Sequence, residues 1–144
     1  MRRIHDRLGN YRFYAWRNGH APAYDGSAQI QRGFGVSLDQ QVAGGVTLFT
    51  RYSRHFGPRS PFDLNVSFGG ELAGHPWRRP QDGVGVAVGF TRMSRAFRRD
   101  APLLDANGGS VADFGYAAAS GEKTAEAYYR YQVNDTFALA PDIQ

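Results

Sequence analysis

The 144 residues carry 17 basic against 13 acidic groups, 18 glycines, 14% aromatic side chains and no cysteine. Glycine and aromatics in that proportion suit paired strands better than a helix bundle, and the length suits one domain. Without cysteine, disulfides and thiolate metal sites are excluded; no run approaches the roughly 18 apolar residues of a membrane helix.

The start, "MRRIHDRLGNYRFYAW", is charged but lacks the apolar stretch of a signal peptide. Strand-like alternation begins near Asn10 and runs to Asn18, with Tyr11, Phe13 and Ala15 opposite Arg12, Tyr14 and Trp16. A second strand, Gly33 to Val42, sets Phe34, Val36 and Leu38 against Gly35, Ser37, Asp39 and Gln41. A third, Gly45 to Phe56, opposes Val46, Leu48, Thr50 and Tyr52 to Thr47, Phe49, Arg51 and Ser53. Asp63 to Leu72 is the cleanest, with Leu64, Val66, Phe68 and Leu72 on one side. "GVGVAVGF" opens the fifth, Gly83 to Arg92, where Val84, Val86, Val88 and Phe90 alternate with small residues. The sixth places Ala125, Ala127, Tyr129, Tyr131 and Val133 against Thr124, Glu126, Tyr128, Arg130 and Gln132. Asn134-Asp135 reads as a tight hairpin turn into a seventh, in which Phe137, Leu139, Pro141 and Ile143 face one way.

Connections after the second, fourth and sixth strands are expected at Ala43-Gly44, Ala73 to Asp82 and Asn134-Asp135. Those after the first, third and fifth are expected at Gly19 to Arg32, Gly57 to Phe62 and Met93 to Gly121. Short turns thus gather mostly at one rim and long loops at the other, as in outer-membrane barrels. Only the ten residues "AGHPWRRPQD" interrupt that count. The expected fold is all-β: an antiparallel up-and-down sheet of about seven strands. Periodicity leaves its sidedness open. A soluble β-sandwich or small β-barrel that binds carbohydrate puts the apolar face inside; a transmembrane barrel puts it outside and wets the other.

Site motifs for catalysis, cofactors or metals are weak. The glycines of "GVGVAVG" lie within a strand and no helix follows, so no phosphate cradle is expected. His5, His20, His55 and His75 lack ligand spacing. Glu122 and Glu126 have no partner carboxylate across a cleft, and an enzyme is not expected. Nor is nucleic acid, because the arginines are scattered and not blocked together. "RMSRAFRRDAPLLDANGGSVADF" reads as a long irregular loop with Arg92, Arg95, Arg98 and Arg99 near its start, either solvated or folded at a mouth and contacting phosphates.

"EKTAEAYYRYQVNDTFALAPDIQ" resembles the C-terminal region of the carbohydrate-selective porins of the OprB type, and "YRFYAW", "GVTLFTRYS" and "HPWRRPQDGVGVAVGFTRMS" resemble strands and turns of that family in order. The resemblance implies a barrel in the outer membrane of a Gram-negative bacterium that passes mono- or oligosaccharides. It also implies contact with outer-membrane lipid and lipopolysaccharide. Because porin-sized barrels need about 16–18 strands, this chain reads as an incomplete, C-terminal-half portion, partnered by the missing strands of the same porin. Sugars present hydroxyls and apolar ring faces, so carboxylates, guanidinium groups and aromatic surfaces are the matching chemistry. Arg12, Tyr14, Trp16, Arg51, Glu126, Tyr128 and Arg130 are the expected lining residues.

Overall fold

A computed structural model describes residues 2–4, 7–103 and 120–144. Six long strands dominate: β2 (Arg7–Pro22), β3 (Ala28–Ala43), β4 (Val46–Phe56), β5 (Phe62–Gly74), β6 (Arg79–Met93) and β7 (Gly121–Asn134). A short β1 (Arg2–Ile4) precedes them, and β8 (Phe137–Leu139) and β9 (Asp142–Ile143) follow. All pair antiparallel in chain order from β1 to β8, with β9 also on β7. The result is an open up-and-down sheet, curved in the manner of part of a barrel.

Because directly opposed residues share a side of the sheet, the register fixes two faces. One row runs Tyr11, Leu38, Thr50, Phe68, Val88, Ala125. The next contains Leu48, Gly70, Val86, Ala127 and Ile143. These rows are uncovered: Phe13 is 71% exposed, Val86 60% and Phe68 59%. Leu64 and Val66 are half-buried by their strand neighbours alone. Buried apolar side chains among the described residues are confined to Ala21, Ala23, Phe97 and Ala101. A soluble sandwich or closed soluble barrel needs a second layer or an apolar interior; among the described residues this sheet leaves its apolar face uncovered and forms neither.

Several boundaries differ from expectation. β2 and β3 are each 16 residues long, so most of the segment expected to loop between Gly19 and Arg32 is strand. The connection contracts to Ala23–Ser27, where Asp25 accepts from both the amide and hydroxyl of Ser27. "AGHPWRRPQD" is likewise a tight turn. His75–Trp77 form one 3-10 turn with Pro76 as its second residue, Arg78 takes the left-handed conformation (φ 62°), and pairing resumes at Gly74 with Arg79. That restores the short-turn rim. The first turn sits one residue later than expected, at Gly44-Gly45, because Gly45 supplies the positive φ (78°). The last strand is broken: Pro141 has no amide to donate, although its carbonyl still accepts from the Tyr129 amide (3.2 Å).

The buried carboxylate of Asp82 fastens the short-turn rim. It accepts from Arg79 Nε (2.5 Å), the Tyr129 hydroxyl (2.5 Å) and the Gln132 amide (3.0 Å). Trp77 Nε1 donates to the same Tyr129 oxygen (3.0 Å), and the Arg79 guanidinium lies 4.2 Å from the Tyr131 ring centre.

The final hairpin turns on Asn134, whose Oδ1 accepts from the amides of Thr136 (3.0 Å) and Phe137 (2.9 Å). Asn134→Ala removes both bonds and loosens this turn by about 1 kcal/mol. Hydrogen exchange at Phe137 should accelerate accordingly, while exchange in β5 stays unchanged.

Candidate functional site

The polar face is a set of rows. Nearest the short turns stand Ala73, Gly83 and Arg130, then Gln41, Thr47, Glu71, Gly85 and Tyr128; above these come Asp39, Phe49, Gly69, Ala87 and Glu126. The next holds Arg12, Ser37, Arg51, Ser67, Gly89 and Thr124, followed by Tyr14, Gly35, Ser53, Asn65, Thr91 and Glu122. Trp16, Gly33 and His55 form the outermost. All seven expected lining residues therefore lie on one face, but not in one cluster. β2 and β7 stand five strands apart, about 24 Å along the sheet at ~4.8 Å per strand.

Aromatic side chains on this face lie across glycines of the neighbouring strand. A Cβ at Gly33 would stand 2.9 Å from the Trp16 ring, and one at Gly69 would stand 2.6 Å from Phe49 Cζ. At Gly35 and Gly85 the added carbon would overlap the rings of Tyr14 and Tyr128. Glycine leaves a bed in which each ring rests against the backbone, turning its other side to open space. Spacing in the sequence does not show this; the pairing register does.

Charges occupy the gaps. Glu71 accepts from the Tyr128 hydroxyl (2.6 Å) and from Arg130 (3.1 Å). Arg51 bonds Asp39 (2.6 Å), donates to the carbonyls of Leu38 (2.9 Å) and Thr50 (3.1 Å), and sits 5.1 Å from the Phe49 ring centre. Asn65 donates to Thr91 (2.8 Å). Glu71 and Asp39 were legible as polar-face residues, yet their pairing partners were not. Trp16 meets His55 edge-on at 5.2 Å, and His55 in turn meets Phe62, so His55 belongs to this wall.

At the long-loop end the wall is roofed. Gln29, on the same side as Gly33, is buried because the loop between β4 and β5 leans over it: the Arg59 amide donates to Gln29 Oε1 (2.9 Å). A helix, α1 (Arg95–Asp100), replaces the irregular start expected for the long loop. Ser94 caps it, accepting from the Phe97 amide (3.0 Å) while donating to the Ser60 carbonyl (2.6 Å). Phe97 meets Tyr24 edge-on at 5.4 Å. The remainder of that loop, 104–119, lies outside the described residues.

The family model described as "Carbohydrate-selective porin, OprB family" matches residues 11–144. This chain belongs to the OprB family of carbohydrate-selective porins. Among solved structures, one titled "High pH structure of Pseudomonas putida OprB" superposes with a TM-score of 0.74 at 21% identity, covering 98% of this chain and 40% of that one. The chain thus spans two fifths of that porin's length. No curated protein matches the sequence. At this identity the superposition establishes the shared fold, a porin sheet with short turns at one rim and longer connections at the other.

In this porin segment the contact of α1 with the β2–β3 loop is set by one proton-dependent pair. Tyr24 donates to Asp100 (2.6 Å), and Arg99 grips the same carboxylate (2.6 Å). The Arg99 bond, then that of Tyr24, holds the Asp100 carboxyl down at about 2. Burial, then the Asp100 carboxylate, pushes the Tyr24 hydroxyl up to about 12. Asp100 therefore contributes stability above its ordinary titration range and loses it as pH falls through about 2. Tyr24 contributes below its ordinary value and loses it as pH rises through about 12. Ultraviolet titration should show a late tyrosine phase near pH 12, and Tyr24→Phe should lower its amplitude by one phenol.

Proposed function

We propose that this segment forms one wall of an outer-membrane pore for passive diffusion of carbohydrates into the periplasm. The observation that carries the reading is the combination of an uncovered apolar band on one side with glycine-bedded aromatic rings and paired charges on the other. The apolar band faces acyl chains. From Leu64 to Leu72 it rises about 26 Å along the strand at ~3.3 Å per residue, or about 20 Å at a tilt of ~40°, close to the height of a porin's apolar belt. Aromatics bound it at both ends: Phe13, Phe34, Tyr52 and Phe56 stack near the long loops, and Trp77, Tyr129 and Tyr131 sit at the short turns.

On the wet side Arg12, Tyr14, Trp16, Arg51, Glu126, Tyr128 and Arg130 line the passage, with Asp39 and Glu71 added to them. Rings laid against the wall offer apolar surface to a sugar's C–H face without obstructing the channel. Carboxylates and guanidinium groups beside them exchange hydrogen bonds with passing hydroxyls. No step requires deep binding, since a conducting pore must release what it holds. The remaining strands of the same porin complete the barrel, because an open sheet edge in lipid leaves backbone groups unpaired.

Proteoliposomes containing a complete barrel that includes this segment should swell in isosmotic monosaccharide. Trp16→Ala with Tyr128→Ala should lower the swelling rate severalfold for sugars and leave that for small salts unchanged. Equal loss for both solutes, or no swelling in the parent, refutes sugar passage. The sidedness has its own check. Val86→Arg, near the middle of the apolar band, should cost about 2–4 kcal/mol in urea titrations from lipid vesicles, whereas Thr124→Arg on the wet face should cost far less.

A further inference from the structure

On the apolar side, one level beyond Phe13, Tyr52 and Phe90 and among the upper aromatics, the register brings Phe34, Arg54, Leu64 and Arg92 into a single row. Two arginines thus stand on the lipid-facing side where the greasy band ends. Asp63, in a bulge between Phe62 and Leu64, accepts both arms of Arg92 (2.8 and 3.1 Å) and lies 3.4 Å from Arg54. α1 then adds two more guanidinium groups: Arg54, Asp63, Arg92, Met93, Arg95 and Arg98 together line a cavity of about 490 Å³. Among the described residues four guanidinium groups face one carboxylate there, so most of their positive charge is unmatched. Arg98 Nε is also shut away from solvent with no hydrogen-bond partner, and a buried charged donor of that kind calls for an acceptor. Arg99, the neighbour, is committed to Asp100 outside the cavity.

We propose that Arg54, Arg92, Arg95 and Arg98, preorganised by Asp63, form a phosphate-binding site on the barrel's external side, occupied by the phosphate monoester of an outer-leaflet lipid headgroup. Guanidinium forks match phosphate oxygens bidentately. The depth is right for a headgroup: the arginine row lies between the Phe13, Tyr52 and Phe90 row and Phe56, the level at which such rings mark the interface. Lys123, opposite Phe90 on the same face, adds a cation long enough to reach that layer. An anion here ties α1 to β4 and β6, linking the lipid to the element that roofs the wet side.

The proposal rests on the membrane reading above, and its test uses lipid binding instead of sugar flux, so the two fail separately. A complete barrel that includes this segment, folded in a nonionic polyoxyethylene detergent, is titrated with phosphorylated lipid A, with dephosphorylated lipid A and with inorganic phosphate. Phosphorylated lipid A should bind more than about tenfold tighter than either of the others, and the double variant R95Q/R98Q should remove about a tenfold share of that affinity. R95K/R98K, which keeps the charge, should retain most of it, and Arg99→Gln should change nothing. Far-UV circular dichroism establishes that each variant keeps its strands. Equal binding of the two lipids, or an unaltered affinity in R95Q/R98Q, overturns the site. Inorganic phosphate binding as tightly as the lipid overturns the headgroup assignment. Loss of sugar-dependent swelling with lipid binding intact refutes the transport reading alone.

Discussion

A residue directly opposite another across an antiparallel pair must share its side of the sheet, and everything distinctive about this wall descends from that constraint. One slip of a single position in any of the five long hairpin pairings would carry a strand's valines and phenylalanines into the wet side. The register shifts that do occur are confined to the rims, at Asn18/Ala21, Gln41/Ala43, Phe62/Leu64 and Ala73/Gly74. Between them the rows run unbroken across β2 to β7, so the two chemistries stay separated over the full height of the apolar band. Among the described residues no second layer enforces sidedness, only the ladder and the medium on either side.

Sidedness by strand was legible in the sequence because period-two alternation survives in nearly every segment, and "LNVSF" or "GVGVAVGF" admits few other readings. What escaped was set by pairing rather than by local pattern. Strand ends at Pro22 and Ala28 were missed because a hairpin extends as far as its partner supports it, whatever the local composition. The turn at His75–Arg78 looked like a loop because three residues after it, Pro80 to Asp82, bulge out of register before regular pairing resumes at Gly83. α1 was hidden among arginines, though Ser94 as a cap and Phe97 as its buried anchor were both in plain sequence.

The wet side joins two devices that are usually considered apart. Glycine opposite an aromatic avoids a void and a clash at once: the ring fills the space that the missing side chain leaves. The same arrangement keeps the polar face low, because a ring lying along the sheet does not project from it. Paired charges obey the same economy. Arg51 is held by Asp39 and two carbonyls, and Glu71 by Tyr128 and Arg130, so neither guanidinium nor carboxylate stands without a partner.

The two rims are built unequally. At the short turns, Asp82 locks Arg79, Tyr129 and the Gln132 backbone into one knot beneath Trp77. At the opposite end, the connections are tied mainly to one another, Ser94 to Ser60, Arg59 to Asp25 and Tyr24 to Asp100, with Arg59 to Gln29 reaching down to the sheet. Connections at the long-loop end can therefore be altered as a group without unsettling the short-turn rim. A sheet so constructed confines variation to one end while the other keeps its architecture.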